Sequence, residues 1–348
     1  MKELIDRIDE LSAIADHYLV IAKSINSTYF NDFLEAASIL QNLMTKKEYR
    51  FWLKEKMLLK QSPFLEKAFI QNAVETSVVR FFGEKYPSRF RVEAEVNPNS
   101  NKNVDCQFYD NGFKYNVEVK CSSYEAKEEI SKLNAFKSGT IGRLDDRGEK
   151  AIQTITRALD EGLKRRGEHT LPHVSLKKMD NNLKDFLESA HGKYDPESGE
   201  SEVNVLIVGC DECTDIQDWL NYMWAPKELF THESYADVDR YRNVDVVVLT
   251  NQYFKHNKYQ TKRVVDCWSI EKCFNIISSN PHRKREKEKA IKHFFEVLPN
   301  HSEEYANYRI PGSMPLYIQE PMKVISFVKQ ELEGRQNLFL FEQEDSDS

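Results

Sequence analysis

The stretch "NVDCQFYDNGFKYNVEVKC" (residues 103–121) alternates apolar and polar residues in two short runs on either side of the turn signal "DNG". Such a pattern predicts a β-hairpin. Because side chains alternate between the two faces of a strand, Asp105 of the first run and Glu118 and Lys120 of the second share the polar face. The hairpin therefore places one Asp, one Glu and one Lys side by side.

Three ionisable side chains at this place have a chemical rationale. Two carboxylates a few ångströms apart repel each other, and a bound divalent cation removes that repulsion. Oxygen ligands of this hard type suit Mg²⁺ or Mn²⁺, whose coordination is completed by water and by substrate phosphate oxygens. The adjacent lysine would stabilise charge on a phosphate. The trio therefore points to metal-assisted phosphodiester chemistry.

The elements around the hairpin predict an α/β protein. A helix over residues 65–86 carries Glu75, and a strand over 91–96 follows it. After the hairpin, the segment "EKAIQTITRALDEGLKRR" (149–166) predicts a helix with Gln153 on its polar face and a buried stripe of Ile152, Ile155, Leu159 and Leu163. The continuous apolar runs 203–210 and 243–251 predict two strands buried on both faces.

The same reading divides the chain into regions. Residues 1–62 have helical periodicity and form a predicted helical N-terminal region, and residues 63–275 contain the predicted strands. Helical patterns return over 276–335, and residues 336–348 form an acidic tail.

The order of residues resembles the PD-(D/E)XK nuclease superfamily. "VD" at 104–105, then twelve residues, then "EVK" at 118–120 is similar to that superfamily's signature. The resemblance implies a restriction-endonuclease-like core of helix, three-strand meander, crossover helix and further strands. It also implies Asp105, Glu118 and Glu75 as metal ligands, Lys120 as a catalytic residue, and Gln153 as a polar contribution from the crossover helix.

The sequence departs from the superfamily's pattern in two places. Val104 stands where Pro is usual, and Arg157 stands four residues after Gln153, where some subfamilies have Tyr. The resemblance therefore indicates the superfamily and does not assign a subfamily.

The function implied by the resemblance is Mg²⁺- or Mn²⁺-dependent endonuclease cleavage of DNA, in genome defence such as restriction or anti-phage immunity. Two alternatives stay open: a non-catalytic nucleic-acid-binding module of the same fold, and an RNA-cleaving effector. Relatives often act as homodimers, so a homodimer and a defence-system partner protein are the protein partners to expect.

Composition bounds the function classes. The chain has 348 residues, 40% of them hydrophobic, with 56 acidic and 49 basic residues and a net charge of −7. A uniformly basic, nucleic-acid-coating protein is therefore excluded, although local basic stretches remain at 163–169 and 282–289. The sequence shows no leader peptide and no apolar run near the roughly 20 residues of a membrane span. A soluble cytoplasmic protein without a membrane partner is expected.

Two short motifs have structural alternatives. Cys210 and Cys213 form a C-x-x-C without a second pair at zinc-finger spacing, and packing at a strand end is the favoured interpretation. The C-terminal "QNLFLF" (336–341) loosely resembles a sliding-clamp-binding peptide. Its alternative is a last segment packed on the body of the protein.

Overall fold

The computed structural model describes residues 2–11, 16–25, 27–60, 63–122, 132–133, 135–138, 146–167, 173–175, 180–312, 315, 319–336 and 338–342. The strands in this part of the chain are β1 (Phe90–Glu95), β2 (Asn103–Asp110), β3 (Phe113–Cys121), β4 (Phe136–Ser138), β5 (His173–Ser175), β6 (Glu202–Gly209), β7 (Val246–Thr250) and β8 (Asn275–Ser279).

Helices flank these strands along the described chain. They are α1 (Lys2–Glu10), α2 (Tyr18–Ser24), α3 (Thr28–Leu43), α4 (Lys46–Phe51), α5 (Glu66–Lys85), α6 (Asp146–Arg165), α7 (Asp180–His191), α8 (Cys213–Trp224), α9 (Gln252–His256), α10 (Glu288–Val297), α11 (Ser302–Asn307) and α12 (Lys323–Phe327). Two π-helical segments, Trp52–Lys56 and Val328–Glu333, continue α4 and α12, and the helical turn Gly334–Gln336 follows. Short 3₁₀ turns lie at Pro87–Arg89, Val238–Arg240, Tyr259–Thr261, Ile270–Lys272 and Glu320–Met322.

One mixed sheet organises the fold, with strand order β1-β2-β3-β6-β7-β8. β1, β2 and β3 form an antiparallel meander, β6 pairs parallel with β3, β7 pairs parallel with β6, and β8 closes the sheet antiparallel to β7. The short strands β4 and β5 pair apart from it. The predicted α/β class and the predicted meander are confirmed.

Helices cover both faces of the sheet. On one face, α1 to α5, α9 and α10 pack against residues such as Phe108, Val117 and Val205. On the other face, α7, α8 and α12 pack against residues such as Leu206 and Val247. The central strands β6 and β7 are therefore buried on both sides, as their continuous apolar runs predict.

The predicted N-terminal helical region shares its core with the sheet. Phe33 of α3 is fully buried, and its ring lies 5.0 Å from that of Trp268 and 6.1 Å from that of Trp52. The imidazole of His256 on α9 forms hydrogen bonds with the hydroxyls of Tyr29 on α3, at 2.9 Å, and Ser77 on α5, at 3.3 Å. The helices before residue 62 are therefore joined to the rest of the molecule by apolar and polar contacts.

Two predictions about the elements are wrong. The helical pattern expected from residue 276 begins inside β8, because Ile276 and Ile277 are buried on opposite faces of the sheet in a strand too short to show a period. The apolar stripe of α6, which was expected to be buried, is largely exposed: Ile155 is 57% and Leu159 is 42% accessible. The sheet is covered by α7 instead, through the fully buried Leu183.

No helix within the described residues combines the length and the apolar character that a bilayer crossing requires.

The shared core makes a prediction about unfolding. Phe33→Ala should lower the free energy of unfolding by about 3–5 kcal/mol, because it leaves a cavity among buried aromatic rings. Denaturant unfolding followed by tryptophan fluorescence and circular dichroism should show one transition for wild type and variant. The matched control is Phe51→Ala, which truncates a ring that is 53% exposed and should cost no more than about 0.5 kcal/mol. Separate unfolding of the N-terminal helices would contradict the shared core.

Candidate functional site

The hairpin brings the predicted trio close together where β2 and β3 adjoin. The register of β2 and β3 ends at Cys106↔Val117, and Asp105 and Glu118 are the next residues along the two strands. Lys120 follows on the same face of β3, because strand side chains alternate. Cys106 and Val117 point to the opposite face, where they join the apolar core.

Glu118 is a fully buried carboxylate held by lysines from two elements. The Lys120 ammonium lies 2.6 Å from Oε1. Lys193, which follows α7, lies 2.6 Å from Oε1 and donates a hydrogen bond of 2.7 Å to Oε2. An unpaired carboxylate in the interior would carry a desolvation penalty of several kcal/mol. The two ammonium groups therefore allow Glu118 to stay in the middle of a central strand.

Asp105 is held by the neighbouring backbone. The amide N–H of Val119 on β3 donates a 2.6 Å hydrogen bond to Oδ2. Burial raises the pKa of the Asp105 carboxyl well above its usual range, and the charges of Glu75 and Glu118 raise this pKa further. The Val119 hydrogen bond and the Lys193 charge offset only part of this rise. The protonated form of Asp105 is therefore favoured mainly by burial, and the neighbouring carboxylates favour a proton or a cation at this position as well.

Glu75 approaches this region from α5. Both of its carboxylate oxygens accept hydrogen bonds from Lys56, each 2.9 Å long, and Lys56 belongs to the π-helical segment after α4. Burial lowers the pKa of the Lys56 ammonium, but the charges of Glu75, Asp105 and Glu93 more than offset it, so this pKa is raised. The charge of Glu75 therefore raises the pKa of Asp105, while Lys56 holds the carboxylate of Glu75.

Lys120 stays protonated in the same way. Burial lowers the pKa of its ammonium, and the charges of Glu118, Asp105 and Glu75 raise it by more, so the net shift is upward. A permanently charged ammonium beside two carboxylates can contact a phosphate oxygen.

Gln153 lies elsewhere. It is exposed on α6, and no hydrogen bond within the described residues connects it with Asp105, Glu118 or Glu75. Its role at the site stays a prediction.

The sequence did not single out Lys56 or Lys193. Lys193 follows Glu118 by 75 residues, and Lys56 precedes Glu75 by 19 residues, so no local motif connects either with its carboxylate. The excess of carboxylates at the predicted site could have indicated that further lysines or arginines are present, since buried anions require cationic partners.

The residues present fit a divalent cation by their chemistry. Asp105 and Glu118 offer hard oxygen donors, and Mg²⁺ commonly uses one or two protein carboxylates together with water and substrate phosphate. Burial raises the pKa of Asp105, and the charges of Glu75 and Glu118 raise it further; a cation at this carboxyl would offset that repulsion. Within the described chain, however, no three His, Cys, Asp or Glu side chains are arranged as a ready metal cluster. Lysine ammonium groups hold the carboxylates of Glu118 and Glu75.

The remaining motifs have structural explanations in the described residues. All six cysteines are free. Cys210 is buried and Cys213 packs beside the same core, while burial raises the pKa of the Cys213 thiol to about 12. Both thiols are therefore kept protonated, in agreement with packing at a strand end.

The positive charges of the second basic stretch, residues 282–289, are neutralised by acidic residues. Several of its cations form ion pairs with nearby acids, namely Arg283 with Glu286, Lys284 and Arg285 with Glu197, and the buried Lys287 with Asp245. These pairs favour a structural role for residues 282–289. The first stretch lies at the end of α6, where its described residues 164–167 are exposed.

The C-terminal segment packs on the body. Leu340 is buried, and its carbonyl accepts a hydrogen bond from Asn251. Phe341 packs against the same core, and its N–H donates to Glu333 at 2.6 Å. A clamp would have to displace these contacts to bind "QNLFLF". Residues 343–348 of the predicted acidic tail lie outside the described residues.

Comparison of the chain with protein-family models, with curated proteins and with solved structures finds no match.

The raised pKa of Asp105 makes a prediction about pH. Because the folded-state pKa lies above the unfolded one, the folded protein binds more protons, and stability falls as pH rises between these two pKa values. Asp105→Asn removes this penalty and keeps an oxygen acceptor for Val119. Without metal, the variant should melt at a higher temperature than wild type at pH 7, and the difference should shrink toward about pH 4, the usual range of an Asp carboxyl.

The control is Asp185→Asn on α7, whose carboxylate side chain is 63% exposed. It should change the melting temperature little at any pH. An Asp105→Asn variant that is less stable than wild type from pH 4 to pH 8 would contradict the electrostatic strain inferred for Asp105.

Proposed function

We propose that the chain is a metal-dependent nuclease that hydrolyses DNA phosphodiester bonds at Asp105, Glu118 and Lys120. The observation that carries the proposal is the closeness of these three side chains on adjacent strands, with Lys120 2.6 Å from Glu118 and the Asp105 carboxyl accepting a hydrogen bond from Val119 next to Glu118. Burying charged groups lowers the stability of a fold, and clusters of buried charged groups are more frequent at functional sites than elsewhere.

The fold supports the proposal. The order of α5, the β1–β3 meander, a helical crossover and the parallel strand β6 matches the order that the resemblance to PD-(D/E)XK nucleases implies. We therefore also propose that α5 to β6 form a restriction-endonuclease-like core. The described residues of the crossover contain two helices, and α7, which carries the sheet-facing contacts, ends just before Lys193.

Each residue has a role in the proposed reaction. Asp105 and Glu118 would hold the cation, which when bound polarises the phosphodiester and lowers the pKa of a water molecule. Lys120 would place its positive charge next to the phosphate oxygens, where negative charge develops during hydrolysis. The hydrogen bond from Val119 fixes the orientation of Asp105. Glu75 contributes negative charge from α5.

Lys193 and Lys56 would act as substitutes for cations. Their ammonium groups neutralise Glu118 and Glu75. Binding of a divalent cation would weaken these ion pairs, since the carboxylates would then have a second positive charge beside them. The lysines therefore maintain the site without metal and compete with the metal for the carboxylates.

The same ion pairs favour a second candidate function. Because lysines hold both glutamates, a nucleic-acid-binding module without turnover is also consistent with the site. Such a module would bind DNA and leave it intact with every metal.

Cleavage assays test the first proposal. The protein should cut supercoiled or linear DNA with Mg²⁺ or Mn²⁺ and should not cut it with EDTA, and RNA tested in parallel decides the substrate class. Asp105→Ala should abolish cutting. Lys120→Ala should lower the rate by about 10²–10³-fold, the typical cost of removing one group that stabilises developing negative charge.

Lys114→Ala is the matched control, because Lys114 lies on the same face of β3 and also pairs with a glutamate, Glu202, at 3.0 Å. This variant should keep the wild-type rate. Undiminished cutting by Asp105→Ala would refute the proposed active site, and binding without cutting under every metal condition would favour the second candidate.

A further inference from the structure

A cleft of about 380 Å³ lies beside the proposed active site. Its walls come from α3, α4, the π-helical segment and α5, and β1 contributes Val92 and Glu93. Glu75 and Lys56 therefore belong both to the cleft and to the charged groups that act on Asp105.

The walls of the cleft are largely apolar and include two aromatic rings. Phe51 is 53% exposed, while Trp52 is buried and its indole N–H donates a 3.1 Å hydrogen bond to the Thr76 hydroxyl. The Tyr49 ring stacks on Trp52 at 5.4 Å. The cleft thus combines one fixed indole with one accessible phenyl ring, a pairing suited to a flat aromatic ligand.

The charged end of the cleft is close to Asp105 in the sheet. β1 and β2 pair as Val92↔Cys106 and Ala94↔Val104, so Glu93 lies across from Asp105. Glu93 has a φ of 48°, a left-handed conformation that is unusual for a residue other than glycine, and it interrupts the pairing at this point. Val92 packs against the core on the α5 side of the sheet and Ala94 against the core on the other side, so the alternation of side chains changes at Glu93. Here Glu93 lines the cleft together with Lys56.

The size of the cleft selects among nucleic-acid ligands. Its volume is near the lower end of small-molecule pockets, roughly 300–1,000 Å³, which suits one nucleotide and excludes a duplex. A base enters such a pocket most easily when it is already unpaired, because no pairing or stacking has to be broken. Stacking on aromatic rings accepts every base, since each base has a π-face.

We propose that this cleft receives one unpaired nucleobase of the substrate strand, stacked on Phe51, while the neighbouring phosphate lies at Asp105 and Glu118. The proposal rests on the nuclease function proposed above. It makes single-stranded DNA, or DNA with an unpaired nucleotide at the cutting position, the preferred substrate. A fully paired duplex would leave the cleft without a base.

Binding without metal tests this proposal separately from cleavage. The probes are a single-stranded oligonucleotide containing 2-aminopurine and the same oligonucleotide in a full duplex, both with EDTA. The single-stranded probe should bind more tightly, and its fluorescence should change as the base stacks. Phe51→Ala should weaken binding of the single strand about 5- to 150-fold, the equivalent of the roughly 1–3 kcal/mol that stacking of one base contributes. Duplex binding should not change.

Two variants control the result. Phe51→Tyr keeps the ring and should restore binding, which excludes a general folding defect. Trp224→Ala removes an aromatic side chain that is 48% exposed and lies outside this cleft, and it should bind as wild type does.

Equal weakening of both probes by Phe51→Ala, or no weakening of either, would overturn the proposal. Binding of free deoxyadenosine monophosphate in the cleft, with oligonucleotide binding independent of Phe51, would overturn it in favour of an effector site. If DNA is cut but the stacking signal is absent, the base-binding inference alone fails. If the stacking signal is present but no substrate is cut, the nuclease proposal alone fails.

Discussion

A fully buried carboxylate in the middle of β3 sets the electrostatics of this protein. Glu118 is retained there because ammonium groups from its own strand and from the segment after α7 lie 2.6 Å away. Keeping this charge lowers the stability of the fold, since a well-packed apolar side chain could occupy the same place without a desolvation penalty. Asp105 on β2 and Glu75 on α5 belong to the same arrangement, in which lysines neutralise the two glutamates and the Asp105 carboxyl has a raised pKa.

The rest of the fold supports this arrangement from both sides. The N-terminal helices carry Lys56 to Glu75 and form the walls of the cleft, and the crossover carries Lys193 to Glu118 on the opposite face of the sheet. Elements far apart in sequence thus contribute Lys56 and Lys193, while the meander contributes Asp105, Glu118 and Lys120. The apolar contacts that join the N-terminal helices to the sheet therefore also position part of the proposed site.

Local patterns in the sequence predicted the α/β class, the meander and the closeness of Asp105, Glu118 and Lys120, because strand patterns and turn chemistry are local properties. Long-range features were not predictable in this way. Lys193 and Lys56 reach their partners through tertiary contacts. The apolar stripe of α6 predicted that this helix packs on the sheet, but α7 packs there instead. β8 is short and buried on both faces, so it has no period to detect. The cleft forms where several helices pack together, and no single segment of the sequence determines that packing.

A calorimetric titration of Mn²⁺ into the metal-free protein tests the central claim most directly, because it asks whether the charge around Asp105 forms a cation site. The account predicts saturable binding in the wild type, accompanied by proton release, since a carboxyl with a raised pKa must lose its proton to bind metal. Binding should be lost in Asp105→Asn and kept in Asp110→Asn, the other aspartate of β2. Equal Mn²⁺ affinity in wild type and Asp105→Asn, or no binding to either, would contradict it.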